Sequence, residues 1–347
     1  MEKLTFSRYR LSAIATLSTA YTLISPKFAF AHVKWFCAFD VASQPRFLKD
    51  VLTSDFGELG AVSVALLLLG AALERTGLGE ALLRALDRTT TLLRESSEIV
   101  IRALLGAFFV ALWTKGGIIL TPELTTNVEG ISWLQLAIAA GLIWRSTMIL
   151  SALGMLALYA IGIASDGLFH MLDYPIFVGL AIYIGSAGLG RRLFGLRPLD
   201  IMRWAAAITM MWASVEKWAY PQWTFPLFTN NPAMTMGLDR QFFMVAAGMV
   251  EFALAFGLAC TPLVRRVAAT ILCGMFVSAI TGFGKIDAIG HTPIIAVMLA
   301  IMADDARVAL RSPVWYPAYF TGAVFGFLAA YYGLHAAWFG TLIGLST

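Results

Sequence analysis

Arginine falls in every second turn between long apolar runs, and this alternation constrains the fold more than any other feature of the chain. The runs cover 57–74, 99–121, 131–144, 147–165, 174–190, 202–220, 241–261, 266–285, 288–303 and 316–340, each bounded by charge, proline or glycine. Runs of this length and apolarity read as membrane-spanning helices, although several are shorter than the ~20 residues of a perpendicular span. Arg75, Arg84, Arg88 and Arg94 lie in one turn, followed by Arg145, then Arg191, Arg192, Arg197 and Arg203, then Arg265 and Arg266, then Arg307 and Arg311. All of them fall on one side, which the positive-inside rule makes the cytoplasm. The segments 32–56, 122–130, 166–173, 221–240, 286–287 and the carboxyl terminus go to the opposite side.

Composition agrees with this reading. Of the 347 residues, 59% are hydrophobic and 13% charged, about half the charged fraction of a soluble domain. The net charge of +4 follows from loop arginines, which argues against a nucleic-acid partner and for a lipid bilayer around the chain. Cys37, Cys260 and Cys273 form neither a CxxC pair nor a metal-ligand spacing, so a dithiol relay is not the main chemistry. The expected fold class is all-α: a polytopic membrane protein with about ten transmembrane helices.

Residues 1–31 read as a signal peptide. Lys3, Arg8 and Arg10 precede the apolar run from Leu11 to Ile24, and Ala29, Phe30 and Ala31 form an A-x-A cleavage site. Cleavage there makes His32 the mature amino terminus; an uncleaved first span is the alternative, and either leaves 32–56 outside. Residues 57–97 supply the first span and a segment with Leu82, Leu83, Leu86 and Leu93 at roughly helical spacing among arginines. That pattern suits an amphipathic helix on the cytoplasmic membrane surface, or a solvated linker helix.

The stretch 98–188, within a first bundle over 98–190, can be laid over 202–303. Thr114 and Lys115 fall on Glu216 and Lys217, Pro122 near Pro221, Gln135 on Glu251, and Arg145 on Arg265. Gly154 and Met155 then fall on Gly274 and Met275, and Tyr174 to Ile176 on Thr292 to Ile294. Both copies enter from the same side, so the repeats are parallel. The expected architecture is two four-helix bundles with one flanking span on each side, the last within 304–347 after a cytoplasmic loop. Both mature termini would lie outside the inner (plasma) membrane.

The second copy carries a family pattern. Arg203 to Trp223 resembles the first helix of the DoxX-like membrane proteins. Gly248 to Gly257 with Pro262 to Ala269 resembles that family's second and third helices, and Phe283 to His291 its fourth. The resemblance covers roughly 100 residues closely and implies a four-helix bundle, which some family members link to quinone-coupled thiosulfate oxidation. Two copies, two further spans and a signal peptide set this chain apart from that pattern.

Ionisable groups at membrane depth are costly, so they mark the candidate site. Glu251 lies near the midplane of its run. Glu216, Lys217 and Lys285 lie toward the outer ends of theirs, and together the four suggest a proton-handling pocket open to the outer face, serving a redox-associated, quinone- or proton-linked protein. An ion-pair cluster that only fixes packing is the plainer reading. The four histidines, His32, His170, His291 and His335, all fall on the outer side, near Asp40, Asp173 and Asp287. They suggest the alternative of a periplasm-facing copper-handling protein or carrier, since imidazole suits copper. The aromatic loop 218–240 suits interfacial anchoring, or contact with a membrane or periplasmic partner if the chain is an accessory subunit. No P-loop, GxSxG or HExxH motif occurs.

Single cysteines introduced into 193–200 and 224–235 should react with a membrane-impermeant maleimide from opposite sides. Labelling of both from one side breaks this topology.

Overall fold

A computed structural model describes residues 33–307 and 312–341. The signal segment 1–31 and His32 lie outside the described residues. The chain is all-helical: among the described residues no strand forms, and Ile118 and Thr125 share one isolated β-bridge. The helices are α1 (Ser54–Glu74), α2 (Gly77–Thr89), α3 (Ser97–Lys115), α4 (Glu129–Gly141), α5 (Met148–Asp166), α6 (Pro175–Leu189), α7 (Pro198–Ala219), α8 (Arg240–Gly257), α9 (Pro262–Phe283), α10 (Lys285–Ala303) and α11 (Tyr316–Phe339). Short helical turns link several of them.

Six helices among the described residues are long and apolar enough to cross a membrane: α1, α3, α5 with its leading turn, α8, α9 and α10. α6 is apolar but only 15 residues long. α4 has 13 residues and reaches about 20 Å. α7 has the length but carries Asp200, Arg203, Glu216 and Lys217. It tolerates them because it is enclosed, packing on α6, α8, α10 and α11.

The run expected to be one helix over 99–121 stops at Lys115. Gly116 and Gly117 both take positive φ, 66° and 70°, a backbone that side-chain-bearing residues rarely adopt and that ends the helix. The apolar residues beyond, Ile118 to Leu120, are buried in an irregular segment instead. Buried backbone needs partners, and Gln135 of α4 supplies them, donating from Nε2 to the carbonyls of Ile118 (2.6 Å) and Ile119 (2.9 Å).

The two ends of the bundle use charge differently. At one end arginines close helix carboxyl-termini, whose last carbonyls have no partner within the helix. Arg102 Nε donates to Leu142 O at 2.7 Å, and Arg266 Nε to Met302 O at 2.8 Å. Arg266 also pairs with Asp87 of α2 and donates to Thr90, which docks α2 and its extension onto α9.

At the other end the stretch 33–53 forms a strap across the turns between helices. Trp35 stacks on His291 with ring centroids 4.7 Å apart, Phe36 meets Phe283, and Phe39 lies between His170 and Trp223. Arg46 N–H donates to Ala219 O (3.0 Å), and the Tyr220 hydroxyl donates to Ser43 O (2.7 Å). From α11, the Tyr332 hydroxyl donates to Arg46 O (2.7 Å) and the His335 Nε2–H to Val41 O (2.7 Å). That donation fixes the His335 tautomer, since a carbonyl can only accept. Trp35 fits because residue 290 is glycine: a Cβ there would stand 2.0 Å from the indole.

Gly290→Val should therefore expel Trp35 and loosen the strap, at the ~1–3 kcal/mol typical of overpacking. The expected readout in detergent is a lower unfolding midpoint with faster tryptic cleavage after Lys49; unchanged cleavage would show the strap is held elsewhere.

Candidate functional site

The strap carries one lysine into the bundle. Lys34 sits among Val33, Trp35 and Phe36, so its backbone follows the apolar ring contacts and its side chain is fully enclosed. Its ammonium donates to Asp173, in the turn before α6, and to Glu216 Oε1 on α7 at 2.7 Å. The Tyr331 hydroxyl of α11 donates to the same Glu216 oxygen at 3.3 Å. Burial alone would lower the Lys34 pKa, but the Asp173 and Glu216 carboxylates outweigh it and hold the ammonium charged beyond the usual lysine range.

A third acid stands beside this group. Glu123, on the irregular segment after α3, is close enough to feel the charges of Lys34 and Asp173. Its carboxyl lies against the Thr121 hydroxyl and its own backbone N–H, but neither oxygen makes a well-formed hydrogen bond. Burial pushes it up to about 7. His170 lies 4.0 Å from Asp173, too far to hydrogen-bond. Burial first, and then the Lys34 charge, lowers it to about 4, so it is neutral at pH 7. The cluster thus holds three carboxyl groups against one cation. Ionising all three would leave excess negative charge in a desolvated place, which is costly. A proton shared among the carboxyls relieves it.

Glu216 and Lys217 are adjacent on α7 and point about 100° apart. Lys217 therefore faces away from Lys34 and pairs with Glu251 of α8 at 2.7 Å. A cavity of ≈ 40 Å³ lies between the two ion pairs, lined by Glu216, Lys217, Tyr220, Trp223, Phe228 and Met244 among others. That is room for about three waters. Tyr220 and Trp223 stack face to face, with centroids 4.1 Å and planes 3° apart, and form one wall.

Of the residues singled out from the sequence, Glu216 and Lys217 line this cavity, and Glu251 joins them only through its pair with Lys217. Lys285 does neither: it is exposed at the start of α10 and makes no ion pair among the described residues. The expected facing of Glu251 onto Glu216 and Lys285 is replaced by two separate pairs, Glu216 with Lys34 and Glu251 with Lys217. The three described histidines are dispersed. His170 stands by Asp173, His291 Nδ1 pairs with Asp287 at 2.9 Å, and His335 Nε2 lies 2.9 Å from the Tyr220 hydroxyl. Among the described residues no group of three or more His, Cys, Asp or Glu side chains is placed to hold a metal ion. Where Asp173 and Glu216 do converge, the Lys34 ammonium takes the place a cation would have.

Sequence reasoning missed Lys34 and Glu123. The available signal for Lys34 was a lone cation flanked by valine and two aromatics. Comparison of the chain with protein-family models, with curated proteins and with solved structures finds no match.

Lys34→Met leaves Asp173 and Glu216 uncompensated and should cost ~3–5 kcal/mol near neutral pH. The deficit should shrink as falling pH protonates the carboxyls, read as converging unfolding midpoints of variant and wild type at pH 8 and pH 5. For Glu123 the folded form binds its proton more tightly than the unfolded chain, from an ordinary 4.5 to about 7. Its contribution to stability therefore falls as pH rises through that window and levels off above it. Glu123→Gln should gain on wild type across the window, by at most about 3 kcal/mol. His170 contributes to both proteins and cancels; a flat difference would overturn the assignment.

Proposed function

We propose that the chain is an integral inner-membrane protein of DoxX-like type, with α1 and α3 to α11 as its ten spans. On this reading it is a redox-associated component whose acid cluster handles protons at the outer face. The packing order supports the duplicated architecture: α3 on α4, α4 on α5 and α5 on α6 parallels α7 on α8, α8 on α9 and α9 on α10. Gln135 and Glu251 support it too. Each lies on the second helix of its group and reaches back to the carboxyl end of the first helix or the segment after it. The arginine end faces the cytoplasm by the positive-inside rule, which puts the Lys34 cluster outside.

One observation carries the proton-handling reading: three buried carboxyls share a single ammonium, with Glu123 poised near neutrality. A group with its pKa near the working pH exchanges protons in either direction at small cost. The neighbouring cavity, with its aromatic wall and acid rim, supports a quinol-type ring compound as the redox partner. As such a compound passes electrons to an acceptor protein, its protons need a receiver; Glu216 lines the cavity and would take them, with Glu123 behind it in the Lys34 cluster. The cavity is smaller than such a ring, so the loop holding Trp223 and Phe228 would move to admit it.

The decisive measurement is the infrared difference spectrum of the purified protein between pH 5 and pH 9, together with its extracted quinone content. Expected are a protonated-carboxyl band that disappears as pH rises and is absent in Glu123→Gln, and quinone retained by wild type. A wild-type spectrum with no such pH-dependent band, or one that Glu123→Gln leaves unchanged, removes the proton-handling reading; the band without quinone removes the quinone alone.

A further inference from the structure

A second cavity runs along the bundle from Leu172 and Pro175, which flank Asp173, to Leu196, Asp200 and Arg203 at the arginine end. It is a groove of ≈ 760 Å³ between α6 and α7, closed on one side by Tyr159 of α5. Its walls are mainly apolar, with Leu172, Val178, Ile182 and Ile208 along its length. The floor is narrow because α6 and α7 approach closely, so that a Cβ on Gly179 would stand 2.4 Å from the Ala205 methyl. Trp204 and Ile208 line it and remain 39% exposed, so the groove opens sideways, toward lipid in a membrane.

One end of the groove is polar. Arg203, on the second turn of α7, is only 6% exposed and lines it. Its Nη2 pairs with Asp200 at 3.0 Å, whereas Nε and Nη1 have no partner among the described residues. A guanidinium carries five N–H donors in a fixed fork, and buried donors left without acceptors are costly. Asp200 also lines this end, but the surrounding charge does not fully compensate: Arg94, Arg197, Arg203 and Arg265 face Asp200, Asp304 and Asp305, one positive charge in excess. An apolar slot ending in a buried, partly unsatisfied arginine with surplus positive charge is complementary to an amphiphile with an anionic oxygen pair at its head.

We propose that this groove binds a phospholipid of net negative charge, with an acyl chain between α6 and α7 and its phosphate oxygens accepting from the Arg203 guanidinium, whose enclosed Nε and Nη1 turn toward the groove as the lipid enters. The site lies on the other side of α7's length from the cavity near Lys217 and does not depend on the proton-handling role.

The test is native mass spectrometry of the full chain released from detergent, titrated separately with phosphatidylglycerol, phosphatidylcholine and inorganic phosphate. Wild type should bind phosphatidylglycerol about tenfold more tightly than phosphatidylcholine, the scale of a charge-assisted contact. Arg203→Met should remove that preference. Ile208→Trp, which fills the groove and leaves the arginine, should weaken both lipids. Equal binding of the two lipids by wild type, or a preference that survives Arg203→Met, overturns the proposal. So does inorganic phosphate that binds and displaces phosphatidylglycerol, which would assign Arg203 to a free anion. Should Arg203→Met fail to fold, the wild-type lipid preference and the Ile208→Trp variant decide.

Discussion

The rest of the strap end is arranged around one ammonium. Lys34 lies 139 residues from Asp173 and 182 from Glu216, and it draws the turn before α6 and the last turn of α7 onto the strap. Burying an ion is expensive unless its partners are close and fully engaged. The aromatic contacts of Trp35, Phe36 and Phe39 therefore work together with the ion pairs: the rings exclude water, and water exclusion strengthens the electrostatics. An excess of acid follows from the same design. Two carboxylates suffice for Lys34, and a third one nearby is pushed toward its neutral form.

The opposite end solves a different problem with the same kind of charge. There, arginines donate to the free carbonyls at helix carboxyl-termini and to Asp87 and Asp304, and Arg203 pairs with Asp200. Asp200 Oδ1 and Arg197 Nη1 keep unused capacity, and Arg203, which lines the groove, is engaged over only part of its fork. The two ends thus differ in sign as well as in chemistry: surplus acid at the strap, surplus base around Arg203.

Much of the helical framework was legible because apolar runs bounded by charge have few other ways to satisfy their backbone. The boundary at Lys115 was not, since Ile118 to Leu120 continue the apolar run and only the two glycines mark the break. Glu216, Lys217 and Glu251 could be singled out as charges in apolar surroundings. Their pairing could not, because it depends on the angular position of each residue on its helix and on a lysine from a distant segment. Lys34 fell in the outer segment 32–56, where a charge needs no buried partner to explain it. Glu123, after a proline and near two glycines, looked like an ordinary solvated turn. Linear spacing carries no information about long-range closure of this kind.

The strap also has a consequence for how the chain is made. Its carbonyls at Val41 and Arg46 are taken up by His335 and Tyr332 of α11, nearly the whole chain apart. During synthesis the ion pairs of Lys34 can close once α7 has been made, but these strap carbonyls must wait for the final helix. Contacts this distant in sequence are slow to form. Sealing of the strap over the acid cluster is therefore a late event, reached only when α11 is in place.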